Sequence, residues 1–381
     1  MEELYRFPVI KYEVLDELPD PFRFEDGSRV KTAEDWRRRR KELIRTAAEL
    51  QYGKLPPEPE FLELEPLCTP GLGRINNYRV LTGTRAHPVS FILRLYLPKE
   101  GEKWPVVVTG DLCWAHFHDP HTYNRFRTNG IMVAGFDRTE IVPDERNLPR
   151  SSAIHQAYPD GNFSTIAAWA WGYSRVVDAL EKLGCADMAH IAFTGLSRGA
   201  KTALLAGALD ERAWLVNPVA PCAGGSCFRI YEEEQLENGE IRHNETLEDI
   251  TATFPDWFNP EMQSYRGRVT ELPFDEHELK ALVAPRLFLD NEATSDIWAG
   301  QISSWQTNIA AQEVYRFLGA EDRIRWFWRN GGHGQEAEDI DILLNVMLEG
   351  LRGEKPDERL NRLPFDPPAP AFSWHAPARE N

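Results

Sequence analysis

Short apolar runs and longer amphipathic stretches alternate along most of this chain, and the alternation predicts its architecture. WPVVVTGD (104–111), GIMVAGFD (130–137), HIAFTG (190–195), LVNPVAP (215–221), APRLFLD (284–290) and IRWFWR (324–329) are a few residues each and read as strands covered on both faces. Between them lie helical patterns: FSTIAAWAWGYSRVVDALEKLG (163–184), AKTALLAGAL (200–209), IAAQEVYRFLG (309–319) and EAEDIDILLNVMLEGLRG (336–353). The first is amphipathic and ends at Gly184, a suitable C-cap. NNYRVLTGT (76–84) and VSFILRLYLP (89–98) instead alternate residue by residue, as antiparallel strands do. Strands alternating with helices imply an α/β fold: a three-layer sandwich with a mainly parallel central sheet.

Three regions depart from this pattern. Residues 1–60 carry PDPFRF, one helix and the proline-rich KLPPEPEF, and read as an N-terminal extension packed on the core. Residues 229–275 fit no strand–helix repeat and read as an inserted excursion able to roof a site. The tail, 354–381, is rich in proline and is expected to lie along the surface or fray. The main domain is then 61–353. The basic run DWRRRRKEL (35–43) follows a capping box, Thr32 with Asp35, so it reads as the exposed face of an early helix.

Composition narrows the function classes. A net charge of −17 over 381 residues argues against a nucleic-acid partner. No apolar run of about 18 residues is present, so no membrane span is expected. Five scattered cysteines suggest free thiols, with Cys222–Cys227 as a disulfide only in an exported protein. The N-terminus lacks a basic segment followed by an apolar one, so the expected place is the cytoplasm, or outside it with a leader removed.

The candidate chemistry begins at FTGLSRGAK (193–201). A strand stops at a glycine, a serine follows two residues later, and a helix begins. This is the context of a nucleophile elbow, G-x-S-x-G, in which Ser197 is held in a strained turn at the top of a sheet. The helix N-terminus behind it favours an oxyanion. The plainer alternative is a serine N-cap on an ordinary helix. A serine hydroxyl is a weak nucleophile at neutral pH and needs an imidazole to take its proton and a carboxylate to orient that imidazole. His333, in a glycine-rich loop just past IRWFWR, stands where this fold keeps its base. Asp290, Glu292 and Asp296 lie at or beyond the end of the preceding strand; Asp296 is favoured as the acid and Glu292 is the alternative. A rival cluster, CWAHFHDPH (113–121), holds His116, His118, Asp119 and His121. It resembles the zinc pattern H-x-H-x-D-H with the aspartate one place early, so it reads as a polar rim rather than a metal site. No metal and no cofactor are expected.

LPDPFRFEDGSRV, IAAWAWGYSRVVDAL, GLSRGAKTALLAGALDER, ELPFDEHELKALVAPR and GGHG together resemble the bacterial glucuronoyl esterases of carbohydrate esterase family 15, over roughly residues 15–350. The family's elbow reads G-C-S-R-x-G-K. This chain keeps Gly195, Ser197, Arg198 and Lys201, with Leu196 for the cysteine and Ala200 for the second glycine. The resemblance implies an α/β-hydrolase fold and a serine esterase of uronic acid esters. It implies that Arg198 donates to the oxyanion, Lys201 holds sugar hydroxyls and Trp298 lines the sugar subsite. Lys201 sits one helical turn after Ser197, on the same face, and an aromatic beside the acid loop offers a wall for a sugar ring. Some relatives take their acid from the strand after the elbow. The corresponding segment here, NPVAPCAGG, has no carboxylate, which favours Asp296. The expected partner is a carbohydrate ester. Two other readings are an esterase of acetylated sugars and an inactive relative that only binds saccharide.

Overall fold

The computed structural model describes residues 9–68, 74–114, 120–147 and 150–380. Among them the strands are β1 Val9–Val14, β2 Phe61–Leu67, β3 Ile75–Gly83, β4 Pro88–Tyr96, β5 Trp104–Thr109, β6 Met132–Phe136, β7 Ala186–Leu196, β8 Ala213–Val219, β9 Ile230–Gln235, β10 Ile241–His243, β11 Leu287–Ala293 and β12 Ile324–Arg329. The main sheet has the order β12-β11-β8-β7-β5-β6-β4-β3-β2. β12 through β6 are parallel; β4, β3 and β2 add an antiparallel flank. This is the α/β sandwich with a mainly parallel sheet that the alternating pattern predicts, and the α/β-hydrolase arrangement that the resemblance implies.

The helices are α1 Ala33–Leu43, α2 Leu50–Tyr52, α3 Pro120–Thr128, α4 Ala153–Ala157, α5 Thr165–Leu183, α6 Arg198–Leu209, α7 Leu247–Thr253, α8 Glu276–Ala281, α9 Gln301–Phe317 and α10 Ala337–Arg352. The period of two on β5 decides which layer each side chain joins. Val106 and Val108 enter the core under α5 and α6, and Val107 enters the core under α3 and α10. Gly184 ends α5 in the left-handed region, φ 67°, as a C-cap glycine does.

Two expectations need correction. Helix α5 is buried nearly all round rather than amphipathic, because the N-terminal extension covers its outer side: Trp171 Nε1 donates to Pro57 O and Arg175 reaches Glu58. The basic run on α1 is not a solvated face throughout. The capping box of Thr32 and Asp35 is present, but Arg39 is buried, donating to Pro21 O and pairing with Glu42. An arginine stem can cover apolar surface while its head finds acceptors, so a run of like charges in sequence need not stay in water.

The excursion begins with β9, which pairs antiparallel with β1 on one side and β10 on the other. The extension and the excursion thus share a small sheet beside the main one. The tail is tied down rather than frayed: Leu18 N–H donates to Ala371 O, and Gln306 exchanges hydrogen bonds with Ala369 and Ala371.

Candidate active site

The parallel strands end on one edge of the sheet, where β7 delivers Ser197 and, beyond the intervening β8, the adjacent β11 and β12 deliver Asp296 and His333. Ser197 follows β7 with φ 57° and ψ −116°, a conformation that costs a non-glycine residue about 1–3 kcal/mol. Its N–H donates to Val219 O at 2.9 Å, and the N–H groups of Ala200 and Lys201 close the first turn of α6 on its carbonyl. The two flanking glycines have separate reasons. A Cβ on Gly195 would overlap the Gly199 carbonyl, and a Cβ on Gly199 would overlap the carboxylate of Asp111. Asp111 is fully buried beneath the elbow, where it accepts the Leu196 N–H at 2.7 Å and pairs with the equally buried Arg138. Arg198 opens α6, so its N–H has no partner four residues back in the helix.

β11 and β12 carry the other two groups. The ladder between them continues past both strands: Thr294 N–H donates to Arg329 O and Ser295 N–H to Gly331 O. That register brings the loops of Asp296 and His333 side by side. His333 Nδ1 lies 2.7 Å from Asp296 Oδ2, with the imidazole 36 % exposed and the carboxylate 2 % exposed. Glu292 does not reach this ring. Its carboxyl accepts Ser304 Oγ at 2.6 Å, and burial next to Asp290 holds it well above the usual carboxylate range.

The elbow helix also carries Lys201, which is buried. It donates to Pro221 O and lies 3.5 Å from Glu245, itself 3 % exposed and brought in by the excursion. Burial raises the Glu245 carboxyl, while Lys201, which faces its Oε2, opposes that shift. Glu245 N–H donates to Trp298 O, which ties the excursion to the acid loop. Trp298 is 44 % exposed, an unusual position for a tryptophan. It lines a cavity of about 610 Å³ together with Glu234, Ile241, His243, Asp296 and His333. The Arg198 guanidinium is pinned: it donates to Asp144 at 2.7 Å and lies 4.5 Å from the Trp257 ring centroid. Trp257 stacks on Phe254 and donates to Asp144 as well.

The sequence alone did not reveal Asp111, Asp144, Glu245 or Trp257. Each lies far along the chain from the elbow and carries no local motif. Of the rival cluster, His116, His118 and Asp119 lie outside the described residues. Among the described residues no group of three histidines, cysteines and carboxylates is placed to hold a metal ion. All five cysteines are free, Cys222 and Cys227 included. Burial and the nearby Asp137 push the Cys113 thiol up to about 12, so it offers no thiolate. No helix of the described residues is long and apolar enough to cross a membrane.

Comparison with known proteins adds independent findings. Residues 81–319 match the family "Glucuronyl esterase, fungi". The chain is 32 % identical over 326 residues to 4-O-methyl-glucuronoyl methylesterase 1 of Wolfiporia cocos, covering 84 % of this chain and 76 % of that protein. A carbohydrate esterase family 15 glucuronoyl esterase from Caldicellulosiruptor kristjansonii superposes with a TM-score of 0.82 at 28 % identity, covering 99 % of this chain and 100 % of that one. The glucuronoyl esterase catalytic domain from Hypocrea jecorina shares the fold, with a TM-score of 0.77 at 24 % identity over 97 % of this chain and 99 % of that one. With an elbow serine, a histidine–aspartate pair on adjacent strand ends and these relatives, the chain belongs to the glucuronoyl esterases, carbohydrate esterase family 15.

Proposed function

We propose that this protein hydrolyses glucuronoyl esters of carbohydrates through an acyl-enzyme on Ser197. The observation that carries the reading is the 2.7 Å contact of His333 Nδ1 with the buried Asp296, at the same strand-end edge of the sheet as a serine held at φ 57°. Asp296 fixes the tautomer that leaves His333 Nε2 free to take the Ser197 proton. The alkoxide attacks the ester carbonyl. The negative oxygen is met by N–H groups at the start of α6, with the Arg198 guanidinium beside them; one such donor typically contributes about 10²–10³ in rate. His333 returns its proton to the departing alcohol, water attacks the acyl-enzyme with His333 again as base, and Ser197 is regenerated.

Lys201 and Glu245 support a sugar as the acyl group. A buried cation paired with a buried carboxylate suits hydroxyl groups, which donate and accept at once. Trp298 supplies a face for the ring. An esterase of acetylated sugars is the second reading, favoured only if the buried pair proves irrelevant to binding. The test is hydrolysis of benzyl glucuronate beside para-nitrophenyl acetate, by the wild type and Ser197→Ala. Turnover of the glucuronate ester, lost in the variant, supports the proposal. Turnover of the acetate alone moves the substrate to acetylated sugars. Silence on both, with no fluorophosphonate label on Ser197, leaves a saccharide-binding relative.

A further inference from the structure

His333 sits in Asn330-Gly331-Gly332-His333-Gly334, a segment whose glycines give it large conformational freedom when unfolded. Among the described residues the exposed imidazole has one side-chain tether, Asp296. A base must be held within a fraction of an ångström of its working position, so something else must order this loop. The backbone hydrogen bonds identify it. Arg329, the last residue of β12, turns its guanidinium under the loop. Nη1 donates to Asn330 O at 3.2 Å, and Nη2 donates to Gly332 O at 2.8 Å and to Gly334 O at 2.6 Å. Gly331 O is taken by Ser295 N–H. The carbonyls on both sides of His333 are therefore gripped by one side chain.

That side chain is itself fixed. Arg329 is 4 % exposed, and its Nε donates to Asp339 Oδ2 at 2.6 Å. Asp339 belongs to the capping box of α10: the same oxygen accepts Glu336 N–H. The guanidinium is thus a rigid fork anchored to a helix end, and the loop is folded over it. Gly331, at φ 116°, passes so close that a Cβ there would press on Nη1.

We infer that Arg329 is the positioning residue for His333, acting through the loop carbonyls, with Asp339 holding the guanidinium in place. The inference rests on His333 being the base, as proposed above. Lysine cannot replace this fork, because one ammonium cannot reach three carbonyls and a carboxylate from a fixed stem.

The experiment uses the full chain with Arg329→Ala, Arg329→Lys and Asp339→Asn, and measures kcat and KM on benzyl glucuronate. Both Arg329 variants are expected to lose about 10²-fold in kcat with KM within about threefold. Millimolar guanidinium is expected to restore at least about tenfold in Arg329→Ala and nothing in Arg329→Lys. The downfield proton of the His333–Asp296 bond, assigned by its loss in His333→Ala, should fade in Arg329→Ala and return with guanidinium. An unchanged kcat, a loss that guanidinium never reverses, or an unchanged downfield proton in Arg329→Ala would each overturn the inference. If Arg329→Ala does not fold, Arg329→Lys and Asp339→Asn decide by the same kcat and proton readings. The rate of fluorophosphonate labelling of Ser197 separates the two proposals. It needs the base but not the natural ester, so it reads the role of Arg329 even if glucuronate esters are not turned over.

Discussion

Helix α8 and the mouth of the site carry the same residue types in opposite settings. On α8, Glu276, His277, Glu278 and Lys280 are all fully buried. Glu276 accepts from Gln51, the His277 ring meets Pro19 O, Glu278 faces Arg39, and Lys280 donates to Asp290, Thr307 and Asn308. Burial pushes both glutamates up to about 8 and His277 down to about 4, so at neutral pH His277 is uncharged and the glutamates largely so. At the mouth, His333 pairs with one buried carboxylate and keeps a third of its surface open. The first arrangement braces the N-terminal extension and α8 against β11. The second leaves one ring accessible for proton exchange with a substrate. A histidine beside carboxylates is therefore no sign of chemistry by itself; access to the ring separates the two.

The strongest way to break this comparison is to remove the proposed nucleophile. Ser197→Ala should lower kcat on benzyl glucuronate by about 10⁴–10⁶, and His333→Ala by a similar factor, with no further loss in the double variant. Next comes the contrast along β11 and its loop. Asp296→Asn should cost about 10⁴ in kcat, because the wrong tautomer of His333 is then favoured. Glu292→Gln should stay within about threefold, since its carboxyl is buried on Ser304 and makes no hydrogen bond to His333. Equal losses from the two would erase the distinction between mouth and interior.

A smaller effect tests the sugar side. Lys201→Ala should cost about 10–100-fold in kcat/KM on the glucuronate ester, the worth of a charged hydrogen bond, and little on para-nitrophenyl acetate. An equal loss on both would make Lys201 a support of the elbow instead of a substrate contact.

The smallest effect sharpens the description of α8. The folded Glu276 carboxyl titrates near 8, against about 4.3 when unfolded. Between those values the folded chain keeps a proton that the unfolded chain releases. Stability from this group is therefore full at low pH and falls as pH rises, by up to about 1.4 kcal/mol per pH unit until near pH 8. Glu276→Gln should flatten the loss of thermal stability between pH 6 and 8, read by melting at each pH. A variant with the wild-type slope would mean that Glu276 is ionised inside the fold.

Much of this molecule was legible in its sequence. Apolar runs of strand length determined the parallel strands, because a strand covered on both faces must be apolar at every position. Residue-by-residue alternation marked β3 and β4. G-x-S-x-G at a strand–helix junction singled out Ser197, and a histidine just past the last strand singled out His333, since both depend on local backbone geometry. What the sequence left open was decided by burial and by contacts between distant segments. Asp296 and Glu292 lie four residues apart, yet only the ladder continued past β11 and β12 brings Asp296 to the ring while Glu292 turns inward. Glu245 meets Lys201 from an excursion with no repeating pattern, and Asp111 reaches the elbow from another strand. Arg329 shows the same limit: nothing in RNGGHG says that its side chain folds back under the loop, because that follows from Asp339 at the start of the final helix. Period and turn chemistry are local and can be read along the chain, whereas proton affinity and hydrogen-bond partnership depend on which residues the fold leaves dry and near.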